Sequence, residues 1–265
     1  MEWSSNLDSY WPCLRRRIKS GRGMGSGAAY KPWLVLREKP GKGTTGVPLG
    51  IKTDRRHQLR TPAAQTYFFL LERQEDVIDI QEIYPILDLE ATLKLCGKFD
   101  IEHEYDELNP EPFLIDFVVT RSIDSKRVVS AHSLDPTNGK RSERQEEQFR
   151  IQYEWCKSNG IGWAPVDVSD FTATVHSSLI HLRGWERHRY APEQSATDSF
   201  VKLFWRVYKP HHTLKEALEQ CSIKGGESFE RCDNHFRYAA WANAIKVDIS
   251  KPVILNQPVV LLERP

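Results

Sequence analysis

Apolar and polar positions along this chain fall into two periods. Residues 113–119 and 127–132 read as strands: short, rich in β-branched and aromatic residues, and separated by polar turn residues between 120 and 126. A carboxylate, Asp116, interrupts the first of them. Ahead of this pair, Thr61-Pro62 is a helix start, with Thr as N-cap and Pro at the first helical position. Ala64, Tyr67, Phe68 and Leu71 then recur at helical spacing, one buried face, and the helix is expected to end near Gln74. Residues 77–84 alternate like a strand and stop at Pro85, 89–95 make a short helix closed by Gly97, and the acidic stretch 100–111 is a loop. After the strand pair, residues 143–158 form the clearest amphipathic helix, with Phe149, Tyr153 and Cys156 on one side and Asn159-Gly160 as its C-cap. Residues 161–168 are a last strand. Helix, strands, helix, strand is an α/β order.

The pattern changes after about residue 170. Residues 171–210 are rich in His, Trp and Arg and read as helices with loops. A helix over 213–221, a turn at Gly225-Gly226 and a longer helix over 228–244 follow. Two strand-like runs, 253–255 and 259–262, are joined by Asn256-Gln257-Pro258 and predict a hairpin. Helix, turn, helix, hairpin is the order of a winged helix. The chain therefore divides into an N-terminal α/β domain, 1–170, and a C-terminal helical, winged-helix-type domain, 171–265. In the latter, Trp205, Phe236, Trp241 and the hairpin are expected to offer apolar surface to a protein partner.

The net charge of +1 conceals an asymmetry: residues 1–60 carry a balance of +9 and residues 72–111 a balance of −10. A basic arm attracts a phosphate backbone, with Arg15, Arg16, Arg17, Lys19 and Arg22 as donors; equally, the two blocks could face one another in the fold. The glycine-rich stretch after these arginines lacks the Gly-Lys-Ser/Thr of a P-loop, and reads either as a close approach to a ligand or as a flexible arm. Residues 30–36 are an extended segment leading into a Gly/Lys-rich loop, 39–50. Five scattered cysteines, none in a C-x-x-C pair, fit reduced thiols in a cytoplasmic protein and argue against zinc. There is no apolar run long enough for a transmembrane helix, and no basic start with an apolar stretch that would mark a signal peptide.

For chemistry, Asp116 is the first candidate, because an acid in a mostly buried strand needs a partner or a metal. The bland reading is a hydrogen-bonded structural Asp near a strand end. His176, His181, His188, His211 and His212 lack acidic neighbours at ligand spacing and read as surface or packing residues.

The stretch Arg16-Arg17-Ile18-Lys19-x-Gly21-Arg22-Gly23-x-Gly25-x-Gly27-x-x-Tyr30-x-Pro32-Trp33-Leu34 resembles the N-terminal signature of the TnsA family, the endonuclease subunits of heteromeric cut-and-paste transposases. Val77-Ile78-Asp79-Ile80-x-Glu82-x-Tyr84-Pro85, Asp116-Phe117-x-Val119 and the helix and strand over 143–163 continue the similarity, which covers roughly residues 10–170. The resemblance implies a restriction-endonuclease-like domain followed by a winged-helix-type domain. It further implies cleavage of transposon 5′ ends beside a DDE-type transposase subunit, and contact with an AAA+ ATPase regulator. The family site uses a helix Glu, a strand Asp and a Gln/Glu-x-Lys pair; the acids hold Mg²⁺ and the Lys serves the attacking water. Here the Asp falls on Asp116, the helix Glu on Ala64, and Gln/Glu-x-Lys on Ser130-Ala131-His132. Gln65 is one residue from Ala64 but about 100° around the helix. Three readings follow: a transposon-end DNA-binding and scaffolding subunit with a degenerate nuclease site; an active Mg²⁺- or Mn²⁺-dependent endonuclease rearranged around Asp116, with His132 or Glu72; or a non-catalytic DNA-binding regulator. Asp116 is the one candidate metal ligand.

Overall fold

The structure, a computed structural model, describes residues 3–38, 46–137 and 139–262. The chain separates into two compact units, Met1–Glu72 with Asp76–Ser169, and Arg73–Glu75 with Asp170–Pro265.

In the first unit, helix α1 (Pro12–Lys19) has Pro at its first position and buries Leu14 and Ile18. Helix α2 (Pro62–Glu72) starts where Thr61 Oγ1 accepts the Ala64 amide. It is buried on more than one face: Gln65, Thr66 and Phe69 are as enclosed as Phe68 and Leu71, while Ala64 and Tyr67 are half-buried. Strand β1 (Val77–Pro85) follows, then helix α3 (Leu89–Phe99). Gly97 does not close α3; the helix runs on to Phe99, and Asp100 in the left-handed conformation (φ 56°) caps it. The acidic stretch is not plain loop either, because Tyr105–Asp106 (β2) and Asn109–Pro110 (β3) pair as a short ribbon. Strands β4 (Leu114–Ile123) and β5 (Lys126–Asp135) form a hairpin. Its turn residues Asp124 and Ser125 both have positive φ, which matches the right-handed twist of the strands. Helix α4 (Glu143–Ser158), N-capped by Ser142, crosses over to strand β6 (Gly162–Asp167), which lies parallel to β5.

The resulting sheet is four-stranded and mixed, in the order β1-β4-β5-β6. One face packs on α3 and α4 through Ile115, Val118, Ala131, Ile151 and Trp155; the other meets α2, where the Tyr67 ring stands edge-on to Phe117. This mixed α/β arrangement is compatible with a restriction-endonuclease-like fold.

Strand β1 is buried along almost its whole length, so its polar residues need partners. The glycine-rich stretch supplies several of them. The Gly27 amide donates to Asp79, Gln81 donates to the Gly25 carbonyl, and the Tyr30 hydroxyl donates to the Glu82 carbonyl. Gly23 has φ +69°, and a Cβ there would lie 2.5 Å from the Pro85 ring. The glycines thus allow close approach to this protein's own strand, and the segment is neither a phosphate loop nor a flexible arm. Residues 39–45 of the Gly/Lys-rich loop lie outside the described residues.

The second unit contains helices α5 (Ala173–Leu182), α6 (Gln194–Val207), α7 (Leu214–Gly225) and α8 (Phe229–Trp241). Thr213 and Glu216 form a capping box on α7, and Ser228 caps α8. The expected hairpin over 253–262 is not formed. Pro252 and Pro258 each lack an amide donor, and the Leu255 and Gln257 carbonyls accept the Lys215 and Leu214 amides at the start of α7. Residues 260–262 turn instead to 246–248, through Asp248 N to Val260 O and Leu262 N to Lys246 O. A winged helix is therefore not established. Phe236 and Trp241 are core residues here, contrary to the expectation that they offer surface. No helix among the described residues is long and apolar enough to cross a membrane.

Candidate functional site

The residues that position the site lie where β1 and β4 run side by side. The pairing passes from Glu82↔Phe117 to Tyr84↔Ile115, and Ile83, at the step opposite Asp116, has φ +51°. A β-branched residue in that conformation is a genuine outlier. Ile83 lines a cavity of about 370 Å³ whose walls include Ala64, Arg60, Glu82, Leu134 and four consecutive residues of β4, Leu114 to Phe117. Sequence reasoning placed Ala64 and Asp116 in one site, and the fold brings them together.

Asp116 is exposed into this cavity rather than buried in the strand. Its Oδ2 accepts the Leu134 amide at 2.7 Å. Desolvation by the cavity walls raises its pKa to about 6, against the lowering pull of that amide and of Arg60.

His132 and Ser130 are placed differently. His132 pairs with Phe117 across the hairpin and its Nδ1 meets the Tyr67 hydroxyl of α2 at 2.5 Å. Burial, with help from Arg121, lowers its pKa to about 4. It is neutral at pH 7, and its Nδ1 shares a hydrogen bond with a tyrosine whose own pKa burial raises to about 12. Ser130 pairs with Val119 and Gly162, further along the sheet. Neither is among the residues lining the cavity; the β5 residue that does line it is Leu134. Gln65 is buried against Gly46, and Glu72 accepts the Ile51 amide, so both lie away from the Asp116 cavity.

Sequence reasoning did not anticipate the cluster around Glu82, in the cavity wall. Glu82, 1% exposed, accepts from Arg55 through both oxygens (3.0 and 2.6 Å), from the Gln58 amide (2.8 Å), and from His57 Nδ1, 2.8 Å away. The His57 Nε2 meets the Thr53 hydroxyl, 2.7 Å away. Burial alone would raise the Glu82 pKa; hydrogen bonds from His57 and Arg55 overcome it and hold it at about 2. The Thr–His–Glu chain resembles a nucleophilic relay in outline, but Thr53 and His57 are 4% and 0% exposed, so no substrate reaches them. The available signal was the strand itself: three polar residues, Asp79, Gln81 and Glu82, inside a buried strand must each be satisfied.

The family's Mg²⁺ can be tested against these donors. A carboxylate has about four acceptor positions, and those of Glu82 are taken up by Arg55, His57 and Gln58. That leaves Asp116 as the one open acid, beside the Arg60 cation and the apolar Ala64 and Leu134. Among the described residues, no group of three or more His, Cys, Asp or Glu side chains is placed to hold a metal. These donors do not fit a divalent cation, which wants clustered oxygen ligands.

The five basic donors of the arm lie on or just after α1. Arg16 and Lys19 are exposed. Arg15 pairs with Asp8 at 3.3 Å, Arg17 with Glu111 at 2.9 Å, and Arg22 with Glu38 at 2.7 Å. The pairs Arg17–Glu111 and Arg55–Glu82 join the basic and acidic blocks directly.

No protein-family model matches the chain. Over 154 residues it is 29% identical to the Transposon Tn7 transposition protein TnsA of Escherichia coli, an alignment covering 57% of this chain and 54% of that protein. The chain thus matches about half the length of this relative, and over that span it is TnsA-like.

Proposed function

We propose that this TnsA-like chain is a cytoplasmic DNA transposition protein that acts at transposon ends as a DNA-binding and scaffolding subunit, its nuclease site reduced to a cavity that no longer recruits a metal. The observation that carries this reading is the composition of the Asp116 cavity. Of its two carboxylates, Asp116 faces Arg60 and Glu82 is already taken up by Arg55, His57 and Gln58, and Ala64 stands where the family's helix carries an acid. The similarity to a transposition protein supplies the biological setting. In this reading α1 and its arginines hold DNA phosphates, a DDE-type transposase subunit does the joining chemistry, and the C-terminal unit receives an AAA+ ATPase regulator.

A second reading has one observation in its favour. A carboxylate in a cleft with its pKa raised to about 6 is a common mark of catalytic sites. It would make the chain a rearranged Mg²⁺- or Mn²⁺-dependent endonuclease centred on Asp116. A nicking assay on transposon-end DNA, with the cognate transposase and either metal, separates the two. The first reading expects DNA binding without cleavage that depends on Asp116. Robust 5′-end cleavage that disappears in Asp116→Ala would overturn it.

A further inference from the structure

The basic helix faces an acidic wall. A cavity of about 680 Å³ separates Arg16, Arg17 and Arg22 on one side from Glu104, Asp106 and Glu111 on the other. Arg17 is seated over the Trp33 ring, 5.2 Å from its centroid, and its Nη1 reaches both Glu111 oxygens, at 2.9 and 3.3 Å. A guanidinium N–H that donates to a carboxylate can donate to a phosphate oxygen in the same way.

This pair differs from the other link between the two charge blocks. Arg55 and Glu82 have side chains 7% and 1% exposed, whereas Arg17 and Glu111 are 38% and 28% exposed. A half-exposed ion pair is cheap to open. Glu111 directly follows the β2–β3 ribbon, which is only two residue pairs long and turns through Glu107 at φ +55°, with Leu108 93% exposed at its tip. Two-stranded ribbons are marginal by themselves. Arg144 and Gln148 of α4 hold Glu104, so the ribbon stays attached at its base whichever partner Arg17 takes.

We propose that Glu111 and the acidic ribbon are an internal competitor for phosphate, occupying Arg17 until DNA displaces them. The proposal rests on the reading of α1 as a DNA-binding element. It implies that the free protein holds DNA more weakly than its arginines allow, and that anything drawing the ribbon away tightens its grip.

The test is fluorescence anisotropy with the full-length chain and a short random-sequence DNA duplex, across a range of salt. Wild type is compared with Glu111→Gln, Arg17→Gln, the double variant, and Glu90→Gln as a control for loss of one negative charge. Glu90 pairs with Lys94 on exposed α3 surface. Glu111→Gln is expected to tighten binding about two- to fivefold and to steepen the salt dependence by about 0.9 in log–log slope, the signature of one more phosphate contact. Arg17→Gln should erase that gain, and Glu90→Gln should not reproduce it. No gain in Glu111→Gln, or a gain that survives Arg17→Gln, overturns the proposal. Replacing Arg15, Arg16, Arg17 and Arg22 together by Ala separates the two readings. If that leaves DNA binding intact, the DNA-binding reading fails and the competitor with it. If it weakens binding while Glu111→Gln changes nothing, the competitor alone fails.

Discussion

Replacing Glu82 by Gln is isosteric, yet it should be among the most damaging single changes in the N-terminal unit. The amide cannot supply the negative charge that Arg55 and His57 face, and both are buried. Removing one partner of a buried ion pair typically costs about 3–5 kcal/mol. An independent route gives a similar size. The Glu82 pKa is held at about 2, against an ordinary 4.5, and at 1.36 kcal/mol per unit that is about 3 kcal/mol. Because the folded-state pKa is depressed, this stabilisation is fully present above the unfolded value, near pH 4.5, and is lost as pH falls from there through about 2. The assay is urea unfolding of wild type and Glu82→Gln between pH 7 and pH 2, followed by fluorescence. Wild type should lose stability steeply at the acid end, while Glu82→Gln starts about 3–5 kcal/mol lower at pH 7 and loses that part of the acid limb. Adding Arg55→Gln should recover part of the loss, with a coupling of about 2 kcal/mol between the two sites. If Glu82→Gln stayed within about 1 kcal/mol of wild type and kept the same acid limb, the reasoning would be refuted.

Asp116→Asn should stabilise the unit at pH 7, because the raised pKa means that the ionised carboxylate disfavours the folded state above its unfolded value. The difference should vanish below about pH 4 and, given exposure into the cavity, stay under about 1 kcal/mol by urea unfolding. Tyr67→Phe leaves His132 Nδ1 without its hydroxyl partner and should cost about 1–2 kcal/mol by the same measurement; no loss would mean that solvent replaces the hydroxyl. Ala64→Glu with Leu134→Lys places an acid and a cation on the cavity walls beside Asp116 and should produce Mg²⁺-dependent nicking on a gel. The set Ala64→Glu, Ser130→Gln, His132→Lys should do so less well, and the reverse ranking would show that the cavity is not the reacting centre.

Much of the first unit was legible because its signals are local. The Ser142 cap and amphipathic stripe mark helix α4 at Glu143–Ser158, and β-branched runs around a polar turn mark the β4–β5 hairpin. The misses came where tertiary contacts override local preference. Gly97 stays helical because nothing there forces a left-handed residue; the reversal falls on Asp100. Residues 253–262 have strand composition, but their carbonyls are drawn to the start of α7 and their prolines withhold donors.

The site was half legible for a related reason. A strand's side chains alternate, so counting along β5 from the spacing that the resemblance implies selects a face but not a level on the sheet. Ser130 and His132 share a face with Phe117 and Val119, and the pairing puts His132 against Tyr67. Asp116 stands opposite Ile83, a β1 residue in the left-handed conformation. No residue pattern announces that an isoleucine will adopt such a conformation. The Trp33 amide donates to the Ile83 carbonyl, and the N-terminal signature packs along the same strand. The glycines and Tyr30 that carry part of the family resemblance therefore pack on this protein's own strand β1. The Glu82 carboxylate, one residue before Ile83, anchors the Arg55–Gln58 segment. In the proposed reading this scaffold persists with Ala64 at the helix position of the site, because the contacts between the glycine-rich segment and β1 stabilise the fold whether or not a metal ligand is present.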